Sequence, residues 1–221
     1  MSNDDHVQAA RDVYDASAHA YVEFVGTEIS PASEGPVDRA LIGAFIELIR
    51  QQEVAQIADV GCGPGRVARL LADCDLDVIG IDVSEALLSI ARDAHPDIKF
   101  RQGQCDSLPL GSGALGGIVS WYSMIFTPPD RLSDAFEEFA RVLAQGGVVL
   151  LAFQANGQPL HRQDAFGTGR PLTSYQHNIE DVTSALEEAG FDVYATTNRA
   201  ADLPHETGPQ GFIIARMPAQ T

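Results

Sequence analysis

Basic residues are scarce in this chain. Lysine and arginine number 14 against 31 aspartates and glutamates, a formal charge of −17 with histidine neutral. Nucleic-acid binding draws its affinity from cations placed on phosphates, so no nucleic-acid partner is expected. The negative charge serves solubility instead. Cysteines are also few: Cys62, Cys74 and Cys105, with no C-x-x-C pair. An odd count without paired spacing argues against a disulfide framework and against a thiolate metal site. No metal is therefore expected, and a reducing compartment fits. No apolar run approaches the roughly 20 residues that span a bilayer. The opening Met-Ser-Asn-Asp-Asp-His is acidic and polar, unlike the basic and apolar regions of a signal peptide. The expectation is a soluble, cytoplasmic protein with no membrane partner. Its 221 residues suit one domain over 1–221. No internal repeat or low-complexity tract divides it.

What the chain does contain is a glycine turn. Ile57-Ala58-Asp59-Val60 reads as a buried strand and Arg66 to Leu71 as an amphipathic helix, with Gly61, Gly63 and Gly65 between them. Such a turn brings bare backbone up to a ligand. The dinucleotide fingerprint G-x-G-x-x-G would want glycine at position 66, where this chain has Arg66. The turn is nucleotide-like but not built for a pyrophosphate.

The remaining pattern alternates strands with helices. Helices are expected over 5–25, 38–52, 85–94, 133–144 and 178–189, with Ser84 and Asn178 as caps. Strands are expected over 56–60, 76–82, 98–102, 116–121, 148–153, 191–197 and 211–216. Residues 28–36 read as a loop. Gly146-Gly147 is expected to end the fifth helix, and 154–177 is expected to be irregular. Alternation with short connections implies a parallel sheet covered on both faces. Ligands in such sheets bind beyond the carboxyl ends of the strands. That puts Asp59 to Gly65, Asp82, Asp106 and Trp121-Tyr122 in one neighbourhood. Asp82 lies 21 residues beyond Gly61, where an acid can take hydrogen bonds from ribose hydroxyls. A solvated strand-end aspartate is the plainer alternative. Asp106 could accept from an adenine amino group, with Cys105 and Leu108 against the ring, or could simply open a turn before Pro109.

Four motifs carry a family resemblance: Asp59-Val60-Gly61-Cys62-Gly63-Pro64-Gly65, Gly80-Ile81-Asp82-Val83-Ser84, Gln104-Cys105-Asp106-Ser107-Leu108-Pro109 and Glu137 to Gly147. With the opening Val13 to Tyr21, the chain resembles the class I S-adenosylmethionine-dependent methyltransferases over roughly residues 10–217. Within them it is most similar to the small-molecule ubiquinone/menaquinone-biosynthesis type. The resemblance implies a doubly wound, mostly parallel seven-stranded Rossmann-like α/β sheet. An antiparallel C-terminal hairpin, an N-terminal helical cap over 1–36 and a substrate-side loop over 154–177 complete it.

The resemblance also implies residue roles. Gly61, Cys62, Gly63 and Gly65 would pass beneath the methionine part of S-adenosylmethionine, and Asp59 would help anchor its amino group. Asp82 would take the ribose hydroxyls. Val83 and Leu87 would flank the adenine, and Asp106 with Ser107 would read its edge. Trp121 and Tyr122 would lie near the transferable methyl, with Tyr14 and Tyr21 closing the site from above. S-adenosylhomocysteine would be the product, and a small molecule the acceptor.

A general base is needed only for an acceptor still protonated near neutral pH. His161 and His177 are the first candidates, then Tyr175 and Asp164, with Tyr122 beside the methyl. Arg162 and Arg170 either meet an acidic group on the acceptor or are solvated loop charges. Arg66 either contacts the cofactor carboxylate or pairs with a nearby acid. Ile125 to Pro129 lines the acceptor pocket or belongs to the core. Cys62, with no His or Lys nearby in sequence, reads as a packing residue. Two other readings remain: a non-catalytic cofactor-binding or regulatory protein, and a nicotinamide-dependent oxidoreductase, which Arg66 argues against.

Overall fold

Long apolar runs flanked by turn residues become central strands, because only a strand covered on both faces can be apolar throughout. In the computed structural model, which describes residues 5–52, 54 and 56–219, these runs are β1 (Gln56–Val60), β2 (Asp77–Asp82), β4 (Leu115–Trp121) and β5 (Leu143–Gln154). With β3 (Lys99–Gln102), β8 (Asp192–Arg199) and β9 (Gln210–Arg216) they form a seven-stranded sheet in the order β3-β2-β1-β4-β5-β9-β8. The first five strands run parallel; β9 pairs antiparallel with both β5 and β8. The chain steps outward from β1 to β3, then returns to β4 on the other side of β1. That reversal opens a crevice at the carboxyl ends of β1 and β4.

The pleat sorts the core into two layers. Ala58, Val60, Ile79 and Ile81 face one side, with Phe136 and Phe139 of α5 (Leu132–Val142) and Leu186 of α6 (Ile179–Glu188). Ile57, Val78 and Leu150 face the other. They pack with Phe45 of α2 (Pro36–Ile49), Leu71 of α3 (Arg66–Ala72) and Leu88 of α4 (Glu85–Ala94). The sheet is thus covered on both faces, as the alternation implied.

Helix α1 (Asp5–Val25) lies over the carboxyl ends and is pinned by polar contacts. Asp15 accepts from the Ser84 hydroxyl at 2.6 Å and from the Ala86 amide at 3.2 Å. Among the described residues, no helix is long and apolar enough to cross a membrane.

Several element ends shift by one to three residues, among them α5, which stops at Val142 rather than at Gly146-Gly147, and three departures from the sequence expectation have a visible cause. Helix α2 begins at Pro36, not at 38, because Pro36 suits the first helical turn and Asp38 accepts from the Gly35 amide at 2.9 Å. Strand β5 begins at Leu143. Leu143 pairs with Leu115, and the register jumps so that Val148 pairs with Gly117, leaving 144–147 as a bulge with Gly146 at φ 74°. The segment 154–177 is not irregular throughout. It folds a small hairpin, β6 (Leu160–Arg162) with β7 (Leu172–Ser174), joined through a 3-10 turn at Ala165–Gly167. Strands of three residues are too short to show an alternating pattern.

A buried ionic clasp ties the C-terminal hairpin to α2. Arg199 Nε and Nη2 reach the two Asp38 oxygens at 2.8 and 2.9 Å, and Nη1 and Nη2 reach Glu206 at 2.9 and 2.5 Å. Replacing Arg199 with Met strands two buried carboxylates, which costs about 3–5 kcal/mol. Urea unfolding should report that loss, and adding Asp38→Asn with Glu206→Gln should recover part of it. Unchanged stability of Arg199→Met would rule out the clasp.

Candidate active site

Strand β1 ends at Val60, and the turn that follows is held by β2. Ile81 O accepts from the Gly61 and Cys62 amides at 2.7 and 3.1 Å. Gly61 sits at φ 75°, and a Cβ there would lie 2.1 Å from Ser123 Cβ. Ser123 cannot retreat easily, because its hydroxyl donates to Val60 O at 2.8 Å and shares a 2.6 Å bond with Ser120. Gly63 donates its amide to Asp82 Oδ2 at 2.8 Å, while Asp82 Oδ1 accepts from Ser84 N at 2.9 Å. Gly65 needs its left-handed φ of 85° to open α3, where a Cβ would strike His95 and Phe100 at 2.9 Å.

Two cavities open above these turns and share Tyr14, Tyr21, Gly61, Gly63, Trp121, Tyr122 and Phe126 as walls. The smaller, about 110 Å³, is also walled by Asp82, Val83, Leu87, Gln104 and Cys105. The larger, about 1080 Å³, adds Asp59, Cys62, Arg66, Arg162, Phe166, Leu172 and His205. Aromatic rings roof the junction. Tyr14 lies 5.0 Å from Tyr21, 5.5 Å from Phe126 and 5.7 Å from Phe166, centroid to centroid. Tyr122 and Phe166 both adopt left-handed backbone, at φ 58° and 53°. For bulky residues that conformation is strained, and such strain gathers at functional sites.

The electrostatics follow from burial. Burial raises the Asp82 carboxyl above its usual range, and the Ser84 and Gly63 amides pull it back. Asp59 Oδ2 accepts from the Ala68 amide at 2.9 Å, bracing the first turn of α3. Burial still pushes the Asp59 carboxyl up to about 7. Burial likewise drives the Tyr14, Tyr21 and Tyr122 phenols and the Cys62 thiol upward. These phenols stay neutral at physiological pH. Among the described residues, Asp59 Oδ1, Asp106 Oδ1 and Trp121 Nε1 are buried without a hydrogen-bond partner.

Not every expected residue reaches a cavity. Gly65 faces His95 and Phe100 rather than open space. Asp106 and Ser107 form a tight turn closed by Ser107 N on Gln104 O at 3.1 Å, and neither walls a cavity; Gln104 and Cys105 do. Arg66 pairs with Glu34 and donates to Val25 O at 3.0 Å, so the acid-pairing alternative is the one realised. His161 is exposed and shares a 2.9 Å bond with Thr173. His177 is buried, its Nε2 donating to Met124 O at 3.0 Å, and burial lowers its pKa. Neither histidine, nor Tyr175 or Asp164, lines either cavity. Arg170 pairs with Asp12 at 3.2 Å. Phe126 and Ile125 wall the larger cavity, and Phe126 also roofs the junction.

The sequence reading missed Ser123, Phe166 and His205. Ser123 had a signal, since it follows Trp121-Tyr122 directly. Phe166 and His205 had none, because they reach the cavity through loops far from any motif. Among the described residues, no cluster of three or more His, Cys, Asp or Glu could hold a metal ion.

The methyltransferase-domain family matches residues 57–147. A probable S-adenosylmethionine-dependent methyltransferase of Mycolicibacterium smegmatis is 30% identical over 63% of this chain and 53% of its own length. A trans-aconitate 2-methyltransferase of Afipia carboxidovorans is 32% identical over 66% of this chain and 54% of its own. A ubiquinone/menaquinone biosynthesis C-methyltransferase of Campylobacter jejuni is 32% identical over 43% of each. The chain spans about half the length of the curated relatives it matches. Among solved structures, the magnesium protoporphyrin IX methyltransferase of Synechocystis with bound S-adenosylmethionine superposes with a TM-score of 0.69. It covers 98% of this chain and 99% of its own at 15% identity, a likeness of fold.

The raised Asp59 pKa has a measurable consequence. With a folded value of about 7 against 3.8, native Asp59 keeps its proton where the unfolded chain has lost it. Its contribution to stability is complete below the unfolded value and falls as pH rises toward about 7. Compared with Asp59→Asn, wild type should lose stability between about pH 4 and 7, by at most about 1.4 kcal/mol per pH unit. Urea-unfolding curves at stepped pH would show it; identical slopes would mean that Asp59 titrates normally.

Proposed function

We infer that this chain, whose residues 57–147 match the methyltransferase-domain family, transfers a methyl group from S-adenosylmethionine to a small-molecule acceptor. The observation that carries the reading is the Asp82 carboxylate. It is buried on the cavity wall, and each oxygen is fixed by one backbone amide. Each keeps a free lone pair for a ligand hydroxyl, as a ribose would offer.

The unpartnered buried atoms fit the rest of that cofactor. Asp59 Oδ1, on the wall of the larger cavity, is an acceptor awaiting a donor, which suits an ammonium. Trp121 Nε1 is a donor awaiting an acceptor, which suits a carboxylate. Val83 and Leu87 supply apolar walls beside Asp82 for a flat ring. The bound cofactor supplies an already activated methyl group. The chain's own task is to hold both partners in line and to exclude water. Tyr14, Tyr21, Phe126 and Phe166 form the apolar roof that does so.

Of the residues expected to remove a proton, Tyr122 walls both cavities, and burial holds its phenol protonated. His161 points away from the cavities and His177 is spent on Met124 O. His205 is the histidine on the larger cavity wall, edge-on to Phe24 at 5.8 Å. An acceptor already ionised at neutral pH needs no base.

A small molecule suits a cavity of about 1080 Å³ closed by one helix and one hairpin. Relatives named for trans-aconitate and for ubiquinone/menaquinone biosynthesis support that scale. The cap segment 5–36 and the segment 154–177 both wall this cavity, so the chain works as a single domain. The charge of −17 favours a soluble, cytoplasmic setting without nucleic-acid or membrane partners. The oxidoreductase reading is set aside because Arg66 occupies the position of the third dinucleotide glycine and is committed to Glu34.

Calorimetry with S-adenosylhomocysteine tests the assignment, with NADH as the control. Micromolar binding of the first and none of the second is expected. Asp82→Ala should weaken S-adenosylhomocysteine by about 1.5–3 kcal/mol, the value of hydrogen bonds to a charged group. Unchanged affinity would remove Asp82 from the site.

A further inference from the structure

The larger cavity is walled by one arginine, Arg162, that has no ion-pair partner among the described residues. Strand β6 pairs with β7 so that Arg162 stands opposite Leu172 and His161 opposite Thr173. Directly opposed residues of an antiparallel ladder share a face. Leu172 is buried against Ala10 and Val13 of α1, so its face is the inner one. Arg162 therefore lies on the cavity side, where it walls the larger cavity while staying exposed, and His161 is on the other face and walls neither cavity.

Most other charged side chains on that wall are committed. Arg66 is paired with Glu34, and Glu206 with Arg199. Asp59 is braced by the Ala68 amide. Glu23 is exposed on α1, next to the Phe24–His205 rim. The Arg162 side chain makes no hydrogen bond or ion pair with the described residues. It lies near enough to Tyr14 for its charge to act on the phenol, against the larger upward push of burial. Tyr14 belongs to both cavities, and Arg162 walls the larger one.

We propose that the acceptor is an organic carboxylate with a flat, unsaturated body, its carboxylate seated on Arg162 and its body against Tyr14, Phe126 and Phe166. The proposal rests on the methyltransferase reading and names the substrate class for that same site. A guanidinium fork matches a carboxylate with two parallel N–H···O bonds. Arg162 is exposed on the wall of the larger cavity, where an entering anion can reach its guanidinium, in a chain of charge −17. One free cation balances one negative charge. A phosphate monoester, at about −1.5 to −2, would bring surplus charge toward Glu34, Asp59 and Glu206. The exposed Phe166 ring, 5.8 Å from Tyr21 and 5.7 Å from Tyr14, offers an aromatic face to a planar body.

The test uses the full chain loaded with S-adenosylhomocysteine. Calorimetry compares hydroxybenzoates and hydroxycinnamates with their primary amides and with phenyl phosphate. The acids should bind at least about tenfold tighter than the amides. Arg162→Gln should erase that difference and Arg162→Lys should restore part of it, with S-adenosylhomocysteine affinity the same in all three proteins. Amides binding as well as acids would overturn the proposal. So would phenyl phosphate binding above the acids, acids indifferent to Arg162→Gln, or no acid binding to the loaded protein. Failure of wild type to bind S-adenosylhomocysteine would instead overturn the methyltransferase reading, and the proposal with it.

Discussion

The Asp82 carboxylate is the point on which the site depends. One oxygen holds Gly63 of the first turn and the other holds Ser84 of the second. Ser84 in turn donates to Asp15 of the cap helix. A single buried charge thus joins β1–α3, β2–α4 and α1. Burying it is costly, and the amide bonds offset that cost. The result is a floor whose two turns are held by hydrogen bonds to one carboxylate.

Around this floor the chain separates two environments. The smaller cavity is walled by Asp82, Val83 and Leu87 and suits a ring with hydroxyls. The larger one is roofed by aromatic rings and closed at its rim by the 204–206 loop, which the Arg199 clasp anchors to α2. Internal pairing of Glu34 and Glu206 removes two charges that would repel an anion. The fold alone does not dictate a reaction; the charges left uncommitted on these walls narrow it.

Much of the scaffold was legible because its cause is local. Continuous apolar strands, Ser84 and Asn178 caps and glycine turns act over a few residues, and their side chains state their roles in sequence. The five parallel strands and the terminal antiparallel pair follow from that pattern. The β5 bulge and the β6–β7 hairpin were not legible. The first arises from a register jump against β4, the second from three-residue strands that exist because α1 packs on Leu172. The site split in the same way. Asp59, Asp82, Trp121 and Tyr122 wall the cavities as strand-end residues should. His161 and His177, chosen because they lie in an irregular segment, do not.

The amino-acid sequence by itself determined the layered α/β scaffold, the glycine turn and the acids at the strand ends, because periodicity and turn chemistry are short-range. Tertiary structure alone decided which charges are spent and which are free. Arg66, Arg162 and Arg170 look alike in sequence. The fold gives the first to Glu34 and the third to Asp12, and leaves the second facing the cavity. Pairing depends on which distant segments meet, and that is set by packing across the whole chain.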